Sequence, residues 1–108
     1  MKKLTLSLKK KWFDMIKAGV KKEEYREIKP YYESRFYKTF ISGFGTCEPE
    51  AGHRLKEFAN IVFTLGYPKA DDTERRLTFK NPRIRIGTGK TEWGAEPGKQ
   101  YFVITWEA

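Results

Sequence analysis

The stretch FANIVFTLG, residues 58–66, sets the strongest constraint on the fold. It is a continuous apolar run of strand length, which predicts a central strand buried on both faces. QYFVITWE, residues 100–107, is also apolar on both faces and predicts a closing strand. KLTLSL near the start alternates, placing Leu4, Leu6 and Leu8 on one face of a strand. Ser7 is placed to cap a helix over KKKWFDMIKAG. There Trp12, Met15 and Ile16 form an apolar stripe and Gly19 supplies the stop. Residues 22–28 read as a strand ended by Pro30, residues 31–38 as a short helix or turn, and residues 41–52 as a loop. RRLTFKNPRIRIGTG reads as one long strand or two, with a bulge at Asn81-Pro82 because proline lacks the ladder donor. A Gly-rich loop, GTGKTEWGAEPGK, precedes the last strand. The order predicts an α+β fold. Its sheet is mostly antiparallel and curled into a small β-barrel, with one N-terminal helix and a short second helix. Closing the sheet would remove its exposed edges.

At 108 residues the chain is expected to form a single domain, residues 1–108, with a core that needs no staples. Aromatics are 16% of the residues, so a few large rings do most of the core filling. Cys47 is the one cysteine, which excludes an intrachain disulfide and points to a reducing, cytoplasmic setting. The apolar run LTLSL is too short for an export signal, and no stretch reaches the length of a membrane span. The expectation is therefore a soluble protein with no membrane partner.

The net charge of +8 is unevenly placed. Residues 1–40 hold 12 Lys+Arg against 5 Asp+Glu, residues 41–74 hold 3 against 6, and residues 75–108 hold 7 against 3. A basic surplus at both ends predicts a positive face that attracts a polyanion, nucleic acid being the commonest. The plain alternative is a basic surface that binds nothing.

GTGKT, residues 87–91, imitates a phosphate-binding loop. That loop needs a glycine five positions before Gly89, where this chain has Ile84, and a helix after it, which EWGAEPG does not provide. An NTPase is excluded on these grounds. A structural zinc site needs four Cys/His ligands, and the chain offers only Cys47 and His53. No metal and no cofactor are expected, and His53 has no surroundings that suggest a Ser/His/Asp set.

GVKKEEYR, residues 19–26, is the unusual segment. As a strand it places Glu24, Arg26 and Ile28 on one face and Glu23, Tyr25 and Glu27 on the other. Neither is an ordinary apolar face. Glu24 and Arg26 are close enough to pair, and an inward-facing ion pair is rarely the cheapest route to stability. The pattern fits the floor of a polar cleft, or else a solvated edge strand with ordinary charge pairing.

The same segment resembles the G-x-K-x-x-E-x-R signature of the ASCH domain family, within the PUA-like superfamily, through Gly19, Lys21, Glu24 and Arg26. LTLSLKKKWFDMIKAG is similar to the strand and helix before that signature, and EWGAEPGKQYFVITWE to the closing loop and strand. The resemblance spans nearly the whole chain except residues 36–57 and implies a PUA-like barrel. Its cleft beside the signature would bind RNA or a nucleotide-like ligand. One branch hydrolyses the acyl amide of acetylated cytidine, with a lysine at the position of Lys21 and a threonine nucleophile three residues on. Here that second position is Glu24.

The ligand-binding set expected from these considerations is Gly19, Lys21, Glu24 and Arg26, extended by Arg83 and Arg85 and rimmed by Trp93. Arginine can contact phosphate bidentately, and Trp93 with Tyr25 or Tyr31 can stack on bases. Trp12 and Trp106 are expected in the core. Two other readings remain open. One is an amidohydrolase-like enzyme acting on a modified nucleoside, with Lys21 and Glu24 as acid and base. The other is a module that docks an unknown protein partner through YYESRFY.

Overall fold

The computed structural model describes residues 2–37 and 55–107. The loop expected over residues 41–52, with Cys47 and His53, lies outside the described residues. The described elements are β1 (Lys2–Leu8), α1 (Lys10–Lys17), β2 (Glu24–Glu27), α2 (Pro30–Phe36), β3 (Phe58–Leu65), β4 (Arg76–Thr88) and β5 (Gln100–Glu107). A single 3-10 turn, Thr91–Trp93, interrupts the loop before β5.

The five strands form one sheet in the order β1-β3-β4-β5-β2. Only β1 and β3 run parallel; the other three pairs are antiparallel. The apolar run of β3 sits between β1 and β4, with Ile61, Val62, Phe63 and Thr64 all buried. Consecutive residues of a strand point to opposite faces, so burial of all four means that this part of β3 is covered on both faces and its side chains need not alternate. β4 stays one strand through Asn81-Pro82 by a register shift between Lys80 and Arg83. Asn81 takes φ +50°, which asparagine tolerates better than most residues, and its amide donates to Glu107 Oε2 at 2.9 Å.

The fold is small and α+β, its sheet curled into a half-barrel carrying two helices. Among the described residues the ladder does not close, and β1 and β2 are the two edges of the sheet. The expected removal of edges by backbone pairing is replaced by side-chain bonding. Arg26 on β2 donates to the Ser7 carbonyl at 2.8 Å, and Arg35 on α2 donates to the Thr5 carbonyl at 3.1 Å. Two alternate carbonyls of β1 thus accept from guanidinium groups where a sixth strand would have supplied N–H donors.

Leu4, Leu6 and Leu8 of β1 pack with Ile61 and Phe63 of β3, Phe102 and Ile104 of β5, and Phe36 of α2. Helix α1 adds Phe13 and Ile16, an i,i+3 pair, rather than the expected stripe of Trp12, Met15 and Ile16. Trp12 and Met15 are left half-buried at its flank. The helix N-cap is Lys9, with no side-chain cap, because Ser7 is still within β1. Trp106, expected in the core, is half-buried and packs against the core edge-on to Phe63 at 4.8 Å between ring centres.

Candidate functional site: the cleft at the open seam

Gly19 begins the site. Its φ of +76° lets the chain turn sharply after α1, so the N–H groups of Val20 and Lys21 both donate to the Met15 carbonyl, at 2.9 and 3.1 Å. The turn sends the Lys21 side chain inward, where it is fully buried. Its ammonium donates to the Glu23 carbonyl at 2.6 Å and to Glu24 Oε1 at 2.7 Å. It lies 5.4 Å from the Trp12 ring centre and 5.1 Å from that of Tyr25. Burial holds the Lys21 amine below its ordinary pKa, against the opposing pull of Glu24.

Glu24 is the hinge of the cluster. Its second oxygen accepts from Arg26 Nη2 at 2.8 Å, so one carboxylate is held between two cations. Arg26 Nη2 also reaches Ser7, and Nη1 donates to the Tyr32 hydroxyl at 3.1 Å. Arg26 Nε is buried and has no hydrogen-bond partner among the described residues.

The opposite face of β2 fastens the Gly-rich loop. Glu23 accepts from the Tyr25 hydroxyl at 2.8 Å and from Arg85 at 3.0 Å. The Tyr25 oxygen in turn accepts from the Lys90 N–H at 2.9 Å. Burial, reinforced by Glu23, pushes the Tyr25 pKa up to about 12. At Gly94, φ is +100° and a Cβ would sit 2.8 Å from the Trp12 ring, so the loop backbone rests directly on that ring. Trp93 follows from this contact, carried at the mouth of the site.

Between the two sheet edges these pieces enclose a cleft of about 670 Å3. Glu24 and Arg26 are at its floor, and Ser7, Leu8 and Lys9 at the end of β1 form one wall. Trp12, Tyr25, Tyr32, Tyr67, Trp93 and Tyr101 make up its aromatic lining, and Lys29 and Lys99 add cations. Tyr67 is 96% exposed, at the turn that follows β3.

Of the residues expected from sequence, Glu24, Tyr25, Arg26 and Trp93 line the cleft. Lys21 lies beneath the floor and Gly19 shapes the turn that puts it there. Arg83 and Arg85 are exposed on β4 beside a separate depression of about 590 Å3, and Arg85 reaches the segment from Gly19 to Arg26 only through Glu23. Tyr25 is a loop anchor, and Tyr31 is outside the cleft, bonded to Arg35 at 3.0 Å. Within YYESRFY, Phe36 and Tyr37 belong to the core, leaving Tyr31 as its exposed ring. Sequence reasoning missed Trp12 as a wall, along with Tyr32, Tyr67, Lys9, Lys29 and Lys99. The signal for Trp12 was present: once Phe13 and Ile16 are taken as the buried pair, Trp12 must point to the side.

Among the described residues there is no group of three or more His, Cys, Asp or Glu that can hold a metal ion. No helix among them is long and apolar enough to cross a membrane. Compared with protein-family models, curated proteins and solved structures, the chain gives no match.

Proposed function

We propose that this chain is an ASCH-like domain of PUA-like type that binds RNA or a nucleotide-containing ligand in the seam cleft. The observation that carries the reading is the placement of Glu24 and Arg26 on the floor of a cleft walled by Trp12 and Trp93. Rings supply stacking surface, the floor supplies hydrogen-bonding groups, and lysines at the mouth supply attraction for phosphate. Lys21 supports this arrangement from below by fixing the Glu24 carboxylate.

Rim substitutions test the reading best, because Lys21 and Arg26 are built into the fold. Binding of labelled single-stranded RNA is measured by anisotropy for wild type, Trp93→Ala and Lys29→Ala. Lys3→Ala and Lys17→Ala serve as exposed controls outside the cleft. Loss of a stacking ring costs about 1–3 kcal/mol, so Trp93→Ala is expected to weaken binding about tenfold while the controls change little. Equal losses at rim and control positions would reduce the attraction to net charge and sink the reading.

A further inference from the structure

We infer that the cleft takes one unpaired nucleotide unit at a time, held mainly through its base, and favours bases that carry an exocyclic amino group. This rests on the nucleotide-binding reading and narrows it.

The size of the site is the first ground. About 670 Å3 falls in the middle of the range for small-molecule pockets, roughly 300–1,000 Å3. A base must be out of its pair before a ring such as Trp93 can stack on it, since a duplex offers only base edges in its grooves.

The charge inside the cleft is the second ground. The protein is strongly basic, but its cleft is not. Lys9, Arg26, Lys29 and Lys99 are offset there by Glu24, Glu27 and Glu96. Arg26 has both terminal nitrogens committed to Glu24, Ser7 and Tyr32. Lys99 stands 3.9 Å from Glu27. Lys9 and Lys29 make no ion pair among the described residues, which is enough for one phosphate and too little for a backbone track. Much of the remaining basic surface, such as Arg83 and Arg85, is elsewhere on the sheet.

The acceptors are the third ground. Each Glu24 oxygen accepts one side-chain bond and retains capacity for another. Carboxylates lining a stacking cleft pair with amino donors: cytosine N4, adenine N6, or the guanine amine. Uracil has no such donor.

The intact chain is titrated, with tryptophan fluorescence as readout, against the four ribonucleoside monophosphates and against a short RNA as single strand and as duplex. Titrations are repeated over a range of salt. The expected result is that monophosphates compete with the single strand and that duplex binds far more weakly. Uridine monophosphate should be about tenfold weaker than the best of the other three. The dependence of log affinity on log salt should have a slope near −0.7, the value for a single phosphate contact, at any strand length. Duplex binding equal to single strand, or a slope steeper than about −3, would overturn the one-unit inference while leaving nucleic-acid binding intact. Equal affinity for all four monophosphates would overturn the amino preference. No response to any nucleotide or RNA would instead remove the reading on which the inference rests.

Discussion

Lys21→Met replaces a buried ammonium by an apolar group of similar length, and the structure sets what that costs. Lys21 has a fully buried side chain and bonds to Glu24 Oε1 at 2.7 Å and to the Glu23 carbonyl at 2.6 Å. Removing one partner of a buried ion pair typically costs about 3–5 kcal/mol, because the other charge is left behind. Here Glu24 keeps Arg26 at 2.8 Å, which puts the loss at the low end. The orphaned Glu23 carbonyl adds to it, and relief of the desolvated ammonium subtracts. The balance is about 3 kcal/mol. For a domain of this size each kcal/mol moves Tm by about 4 °C, so Lys21→Met should melt about 12 °C below wild type at neutral pH. Circular dichroism melts read this directly. Glu24→Leu completes a double-mutant cycle, and the two substitutions should couple by at least about 1 kcal/mol. A Lys21→Met protein melting within about 3 °C of wild type, or strict additivity, would show that the Lys21–Glu24 pair does not organise this fold.

Two further outcomes follow from the same contacts. Arg26→Lys keeps the charge but cannot span Glu24, Ser7 and Tyr32 at once. It should lose about 1–2 kcal/mol and speed amide exchange in β1 while the β4–β5 ladder is unaffected, as read by hydrogen exchange. The Tyr25 hydroxyl is raised from 10.0 in the unfolded chain to about 12 in the fold, so its stabilising contribution is complete below pH 10 and is lost as pH rises through 12. In Tyr25→Phe that part of the alkaline loss disappears, and the urea midpoint should decline less steeply between pH 10 and 12 than in wild type; parallel declines would show that the hydroxyl is not held as described.

The strands were legible in the sequence because their cause is local. Alternation in Leu4, Leu6 and Leu8, continuous apolar runs in β3 and β5, and the bulge at Asn81-Pro82 each follow from burial and backbone chemistry within a few residues. The position of the cleft was legible only in part. Glu24 and Arg26 were marked out because charge on an inward strand face has few purposes. Lys21 was readable as part of the cluster, but its place beneath the floor depends on the Gly19 turn and on rings from α1 and β2 closing over it. Arg83 and Arg85 alternate correctly on one face, yet period two cannot say that this face turns away from β2's cleft. Tyr67, Lys29 and Lys99 come from three separate connections, and only the curl of the sheet brings them together.

The charged strand β2 finds its explanation in the open ladder. In a closed barrel a strand's inward face meets the core, and Glu24 with Arg26 there would be a costly choice. Here β2 is an edge, and across the gap lies β1, whose Thr5 and Ser7 carbonyls need donors. Arginine fits because one planar group can bond Ser7, Glu24 and Tyr32 together. Glu24 holds that guanidinium in place, and Lys21 holds Glu24. Side chains span a wider gap than a backbone ladder does, since paired strands lie only about 4.8 Å apart. The extra width is the cleft. The substitution of side-chain bonds for a backbone ladder therefore satisfies the edge of β1 and creates the site in a single arrangement. This is why the segment from Gly19 to Arg26 contributes both to stability and to the floor of the cavity.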